Sequence, residues 1–293
     1  MPKEINPYLS EWQGLWAIVI PSGWTNKHRG SMEPEVFIQH TYPAIYNHLK
    51  SAQALYMTKE AKARKKGLYE REDQGDYWWE LRPCVYYNSF AAPKIVWGNL
   101  ATRASFSFDT NSYYVCAPAC IIPTEHKWLL ALLNSSVSTF FLITKAIERQ
   151  GGFVEQKPVY VKQMPIPNVS EEMQTILTEK AEMLLKLNLE KQELNKQSLE
   201  VIQAEYKLPG VTQKLENFLL LGWNELIEEL EKQKIKLDLT QKDKLNIWFR
   251  SKQSEAKKTV ENMEQLTKDI NMLVFRLYNL NDAEIKLIEM DNN

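Results

Sequence analysis

Residues Tyr77–Pro123 read YWWELRPCVYYNSFAAPKIVWGNLATRASFSFDTNSYYVCAPACIIP. Polar and apolar residues alternate along much of this stretch, and Pro, Gly and Asn break it into short runs. A period of two, bounded by turn-forming residues, marks strands in a small sheet. Trp78, Glu80 and Arg82 alternate with Trp79, Leu81 and Pro83, as on a strand edge. Lys94–Trp97 is an apolar run between Pro93 and Gly98, a second strand. Ser105–Phe108 alternates again. Asp109-Thr110-Asn111-Ser112 has the composition of a turn, so Tyr113–Cys116 is expected to return as the second arm of a hairpin. Ala119–Ile122 makes a last strand before Pro123.

Upstream, residues 11–20 (EWQGLWAIVI) predict a short buried strand that Pro21-Ser22-Gly23 ends. Pro43 suits a first helical position, and Ile45, Tyr46 and Leu49 then share one face. From Ser51 the helical pattern turns basic. Lys59, Lys62, Arg64, Lys65, Lys66 and Arg71 stand against Glu60 and Glu70, with Gly67 an interruption.

Downstream, residues 127–147 (KWLLALLNSSVSTFFLITKAI) are apolar for long enough that a membrane span must be weighed. Asn134, Ser135, Ser136, Ser138 and Thr139 in the middle favour a buried core helix. Gly151-Gly152 is expected to end it. Tyr160-Val161 reads as extended, and the prolines at 165 and 167 close a domain. Beyond Ser170, which suits an N-cap, Glu, Lys, Leu and Gln dominate. Met173, Leu177, Leu184, Leu187, Leu194 and Val201 follow one heptad, interrupted by Lys180, Lys191 and Ser198. Met263, Leu266, Ile270, Leu273, Leu277 and Leu280 follow a cleaner one. Between them lie Leu208-Pro209-Gly210 and an apolar helix around residues 218–230. Two heptad helices flanking a compact insert predict an antiparallel helical hairpin, or alternatively a dimeric coiled coil. The fold class is therefore α+β: a small mixed-sheet domain over residues 1–168, then an all-α helical-hairpin or coiled-coil tail over residues 169–293.

The chain of 293 residues has a net charge of −1, which hides an asymmetry. Residues 1–168 hold 18 Lys and Arg against 14 Asp and Glu, a net of +4, and the tail holds 18 against 23, a net of −5. One anion-binding face on the first part fits this distribution. Three cysteines and no export signal predict a reducing, cytoplasmic setting. Cys116, Cys120 and His126 lack a nearby fourth ligand for zinc.

Catalytic patterns do not emerge. No phosphate loop follows a glycine-rich turn, and neither HExxH nor G-x-S-x-G occurs. Glu60-x-Lys62 and Glu284-x-Lys286 have nuclease spacing but lie in helical patterns without a strand-borne Asp. Asn6-Pro7-Tyr8 lacks the second proline of the Asn-Pro-Pro-Tyr/Phe loop with which amino-methyltransferases hold a flipped adenine. Binding chemistry is better served. The aromatics Trp78, Trp79, Tyr86, Tyr87, Trp97, Phe106, Tyr113 and Tyr114 interleave with Arg82, Lys94 and Arg103. Arg reads guanine edges, rings pack on sugar or base, and cations meet phosphates. At least half of these rings are expected in the core. The expected DNA contacts are Lys62, Lys65, Lys66, Arg71, Arg82, Lys94 and Arg103.

Several pieces together resemble one family. They are Tyr77–Cys84, Pro93–Val96, Ser105–Asp109, Leu130–Ser135, Gly151-Gly152 and Gln163–Pro167, followed by Trp223–Leu226, Lys232–Leu237 and Val274–Leu280 before Glu284-Ile285. Their order and spacing resemble the TaqI-like C-terminal specificity domain. That domain is the target-recognition part of adenine-specific DNA methyltransferases, including type IIG restriction–modification enzymes and the large methyltransferases of BREX phage defence. The resemblance implies sequence-specific binding to double-stranded DNA by residues 1–168. It also implies a methyltransferase catalytic domain or subunit that binds S-adenosylmethionine and methylates adenine N6. The cofactor loop and the Asn-Pro-Pro-Tyr/Phe motif have no match in this sequence, so it is expected to be the recognition half alone, with no catalytic residue, cofactor or metal of its own and no membrane partner. The rival expectation is a helical interaction or dimerisation protein that does not bind DNA.

Overall fold

The computed structural model describes residues 7–9, 12, 14–52 and 67–291. The chain divides into two compact units: residues 11–93 with 110–114, and residues 1–10 with 94–109 and 115–293. The sheets and the long helices share the larger of these units. The mixed α+β character is as expected, with small sheets in the N-terminal part and long helices in the C-terminal part.

The smaller unit holds helices α1 (Trp24–His28), α2 (Pro34–Thr41), α3 (Pro43–Ala52) and α4 (Asn88–Ala91). Prolines open α2 and α3, where a missing N–H costs nothing and φ is already helical. Ile20, Phe37, Ile38, Tyr46 and Trp79 form its core. One carboxylate organises the entry to α1. Glu80 is fully buried and accepts from the backbone N–H groups of Gly23 (3.0 Å), Thr25 (2.8 Å) and Asp76 (3.0 Å). It thus satisfies orphan donors at a helix start more than fifty residues away in sequence. Beside it the Trp79 indole N–H donates to Thr25 Oγ1 at 2.9 Å.

Two strand expectations fail in this unit. Residues 14–20 form no strand, and Leu15 and Trp16 are 79% and 88% exposed. Apolar content alone supplied no ladder partner; only Ile20 is buried, and its carbonyl accepts from Leu81 N–H. Residues 77–83 are likewise not a strand edge. Their backbone groups serve turns around Glu80, and a single bridge joins Gln74 to Leu81.

The larger unit contains two sheets. One has the order β1-β4-β2-β5: β1 (Tyr8–Leu9), β2 (Lys94–Trp97), β4 (Phe106–Asp109) and β5 (Cys120–Pro123). The other has the order β3-β7-β6: β3 (Leu100–Ala101), β6 (Glu148–Arg149) and β7 (Phe153–Glu155). The expected strands at 94–97 and 119–122 are present within a residue of their predicted ends. The expected hairpin of 105–108 with 113–116 is not. Strand β4 pairs antiparallel with β2 and parallel with β1, while residues 113–116 carry no strand. Alternation marks a strand but does not name its partner.

Residues 127–147 are two helices, α5 (Lys127–Leu133) and α6 (Ser136–Lys145), bent by 56°. The break is built by Asn134 and Ser135. The Asn134 amide accepts from Phe106 N–H (2.9 Å) and donates to Phe106 O (2.8 Å), adding itself to β4 like a strand residue. Ser135 caps α6 by accepting from Ser138 N–H at 3.4 Å. Among the described residues no single helix is long and apolar enough to cross a membrane. Leu130, Leu132, Leu133 and Leu142 are buried instead. Gly151-Gly152 does not end this helix; both glycines have positive φ (86° and 74°) and turn the β6–β7 hairpin. Residues 160–161 fall in α7 (Pro158–Val161), a helical turn opened by proline, not an extended piece.

The tail comprises α8 (Glu171–Tyr206), α9 (Trp223–Lys232), α10 (Leu239–Leu277) and α11 (Asp282–Asp291). Ser170 caps α8, as expected, by accepting from Met173 N–H. Leu177, Ala181 and Leu184 of α8 share one core with Leu266, Ile270 and Val274 of α10 and with Ile95, Phe106 and Leu130. Lys180 pairs with Asp269 at 2.9 Å. The far ends, Ile202 and Leu245, meet in a second core around Phe218, Leu226 and Phe249. The beginning of α8 thus lies along the end of α10. The two helices form the expected antiparallel hairpin within one chain, and the residues that would seam a dimer are largely spent inside it.

Candidate nucleic-acid interface

The expected contact residues separate sharply. Lys62, Lys65 and Lys66 lie outside the described residues. Lys94 is corrected. It is the first residue of β2, opposite Asp109 of β4, and the two side chains pair at 2.5 Å with no solvent exposure. A cation enclosed on that sheet face does not meet phosphate. Burial of a charge demands a partner, and register supplies one. Arg71 is also drawn into the fold. Its guanidinium donates to the carbonyls of Trp78 (3.3 Å) and Glu80, bracing the turn that carries the buried carboxylate.

Arg82 and Arg103 are exposed, the first in the smaller unit and the second in the larger. Arg82 sits in an aromatic surface. The Tyr86 hydroxyl beside its guanidinium raises the arginine pKa further, and Tyr87 donates its hydroxyl to Arg82 O at 2.9 Å. Tyr86 packs edge-on to Phe90, and Phe90 stacks on Tyr114 with centroids 4.9 Å apart. Phe90 is buried, whereas Tyr86 and Tyr114 are about half exposed and Val85 is fully so. A permanent cation, two ring faces and an aliphatic side chain therefore share a surface held by a buried ring. Such a surface offers a phosphate contact and stacking or methyl contacts together.

The eight aromatics divide by burial. Trp79, Trp97 and Phe106 are buried, Trp78, Tyr87 and Tyr113 are half-buried, and Tyr86 and Tyr114 are exposed. Tyr8, the ring of the Asn-Pro-Tyr tripeptide, is buried in β1, and burial pushes its hydroxyl pKa up. It presents no face to a flipped base.

The larger unit also carries cations that the sequence reading overlooked. Arg149 of β6 and Lys157 just after β7 both pair with Glu155, Lys157 at 2.7 Å, and these two contacts hold the Glu155 pKa below the usual carboxylate range. Gln156 is fully buried; it donates to Arg103 O at 2.6 Å, and its own carbonyl accepts from the Trp97 indole at 2.7 Å. The available signal was Glu155-Gln156-Lys157 directly after a glycine-turned hairpin, visible only once Gly151-Gly152 is read as a turn.

A family model described as the TaqI-like C-terminal specificity domain matches residues 3–166. A second, described as a domain of unknown function, DUF8810, matches residues 170–274. No curated protein matches the chain.

Proposed function

We propose that this chain, which belongs to the family of TaqI-like C-terminal specificity domains, recognises a specific sequence in double-stranded DNA on behalf of an adenine-N6 DNA methyltransferase. The observation that carries the reading is the family match across residues 3–166, more than half of the chain. The exposed Arg82, Tyr86 and Tyr114 surface supports it physically, as does exposed Arg103. Lys62, Lys65 and Lys66 belong to the same proposal as phosphate contacts. The system served is one of restriction–modification or phage defence, of the type IIG or BREX kind. Its catalytic domain, with S-adenosylmethionine, is a separate domain or subunit, and the helical hairpin holds the recognition surface to it.

The test is equilibrium binding to duplex DNA, followed by fluorescence anisotropy from about 50 to 200 mM salt, where a protein with several phosphate contacts loses affinity steeply. Binding that weakens linearly on a log–log plot is expected. No binding at low salt, or affinity indifferent to salt, overturns the reading. Arg82→Gln is expected to weaken binding by about 1–3 kcal/mol if Arg82 reads a base edge, and then to relax preference at one position.

A further inference from the structure

We infer that the outward face of the three-stranded sheet β3-β7-β6 is a second DNA contact, a phosphate site formed by Arg149 and Lys157 with Glu155 as the positioning residue. This rests on the DNA-binding reading above and adds Arg149, Glu155 and Lys157 to it. The pleat fixes the face. Val154 of β7 is buried, so its neighbours Phe153 and Glu155 point the other way. Arg149 lies opposite Phe153 and Leu100 opposite Glu155, which puts all four on one face. Leu100 is exposed, and Lys157 lies two residues beyond Glu155.

The charge arrangement is unlike an ordinary surface ion pair. Glu155's side chain is only 6% exposed, while those of Arg149 and Lys157 are 54% and 48% exposed. The carboxylate lies beneath and the two cations above it. One negative charge holds two positive ones, leaving an excess of one. Arg149 donates to one carboxylate oxygen from Nε and one terminal nitrogen, and Lys157 forms an ion pair with the other oxygen. Guanidinium has five N–H donors and ammonium three, so donors remain on the exposed side. Two side chains pre-oriented by a shared anchor lose less freedom when a phosphodiester arrives. Gln156 adds a third cation to the neighbourhood, because its amide holds the backbone of exposed Arg103. Lys145 and Lys162 are exposed at the ends of neighbouring helices; Glu148 is the one other acid on the hairpin. Leu100 and Phe153 on the same face suit deoxyribose, which presents carbon beside each phosphate.

The experiment measures duplex DNA binding of the full chain against salt for the wild type, Arg149→Gln/Lys157→Gln, Glu155→Gln and Lys257→Gln, the last the loss of a single cation at an exposed position of α10. The double variant is expected to flatten the log–log slope by about 2 and Lys257→Gln to leave it unchanged. Glu155→Gln separates positioning from summed charge: removing an anion should tighten binding if charge alone matters, and is expected here to weaken it about threefold. Arg149→Lys, which keeps the charge, is expected to keep the slope, so a folding defect in the double variant cannot decide the matter. Wild-type binding with an unchanged slope in the double variant overturns this site and leaves the DNA reading standing. Tighter binding by Glu155→Gln overturns the positioning role. A double-stranded RNA of equal length bound as tightly overturns the assignment to DNA. A wild type that binds no duplex overturns both inferences.

Discussion

Lys94 and Glu80 show how far a single residue misleads or informs. Lys94 in a run of Ile, Val and Trp reads as a cation on a strand; its true role was encoded in a second strand. KIVW and FSFD are each four residues long, and antiparallel pairing brings the first residue of one to the last of the other. Lys94→Met removes the cation from a fully buried carboxylate and is expected to destabilise the fold by about 3–5 kcal/mol, seen as a lower urea midpoint. DNA affinity per folded molecule should not change, because no part of Lys94 reaches solvent. Glu80 had a visible motif, Trp-Trp-Glu, but no local signal for its two distant donors, Gly23 and Thr25. Glu80→Ala leaves the buried Thr25 N–H and the part-buried N–H groups of Gly23 and Asp76 without their acceptor and is expected to lose about 2 kcal/mol or more. Hydrogen exchange should then quicken at Gly23, Thr25 and Asp76. Gly75 beside it has no substitute, since a Cβ there would meet Leu81 O at 2.7 Å.

At the scale of elements, periodicity found the helices and missed their breaks. Residues 127–147 keep an apolar stripe through the bend, so period alone reads one helix. Asn134 is the residue that divides it, because its amide completes β4. Asn134→Ala orphans the N–H and the carbonyl of Phe106 and is expected to lose about 2 kcal/mol in chemical denaturation; Asn134→Asp keeps the acceptor but sets a carboxylate oxygen against Phe106 O and is expected to lose at least as much. The apolar insert near residues 218–230 divides in the same way, into a 3-10 helix (Leu215–Leu220) and α9. Glu229 of α9 ties the two. It accepts from Lys232 (2.7 Å) and from the Thr212 hydroxyl (2.8 Å), and those bonds hold its pKa below the ordinary value. A depressed carboxylate pKa gives stability that is present above the unfolded value of about 4.3 and lost as pH falls through the folded value. Acid titration of stability should therefore show a fall below about pH 4.3 that is smaller in Glu229→Gln.

For the whole molecule, the change of composition at Ser170 falls at the cap of α8, and the two family matches meet there as well. It could not mark where packing divides, because composition is local and a core is not. Leu177, Ala181, Leu184, Leu266, Ile270 and Val274 complete the core that Ile95, Phe106 and Leu130 begin. A fragment ending at residue 168 should therefore lack a cooperative melt in calorimetry, and adding residues 169–293 as a separate chain should restore one. The same fact governs how the protein is made. Tyr8 takes its place beside Ser107, in a core that is finished only by Val274. At bacterial or eukaryotic synthesis rates of roughly 5–20 residues per second, that first strand waits roughly 10–50 s on the ribosome for its last neighbour. The unit built mainly from residues 11–93 has nearly all of its chain early in that interval, so the nascent polypeptide acquires a folded middle before its outer ends have anything to close upon.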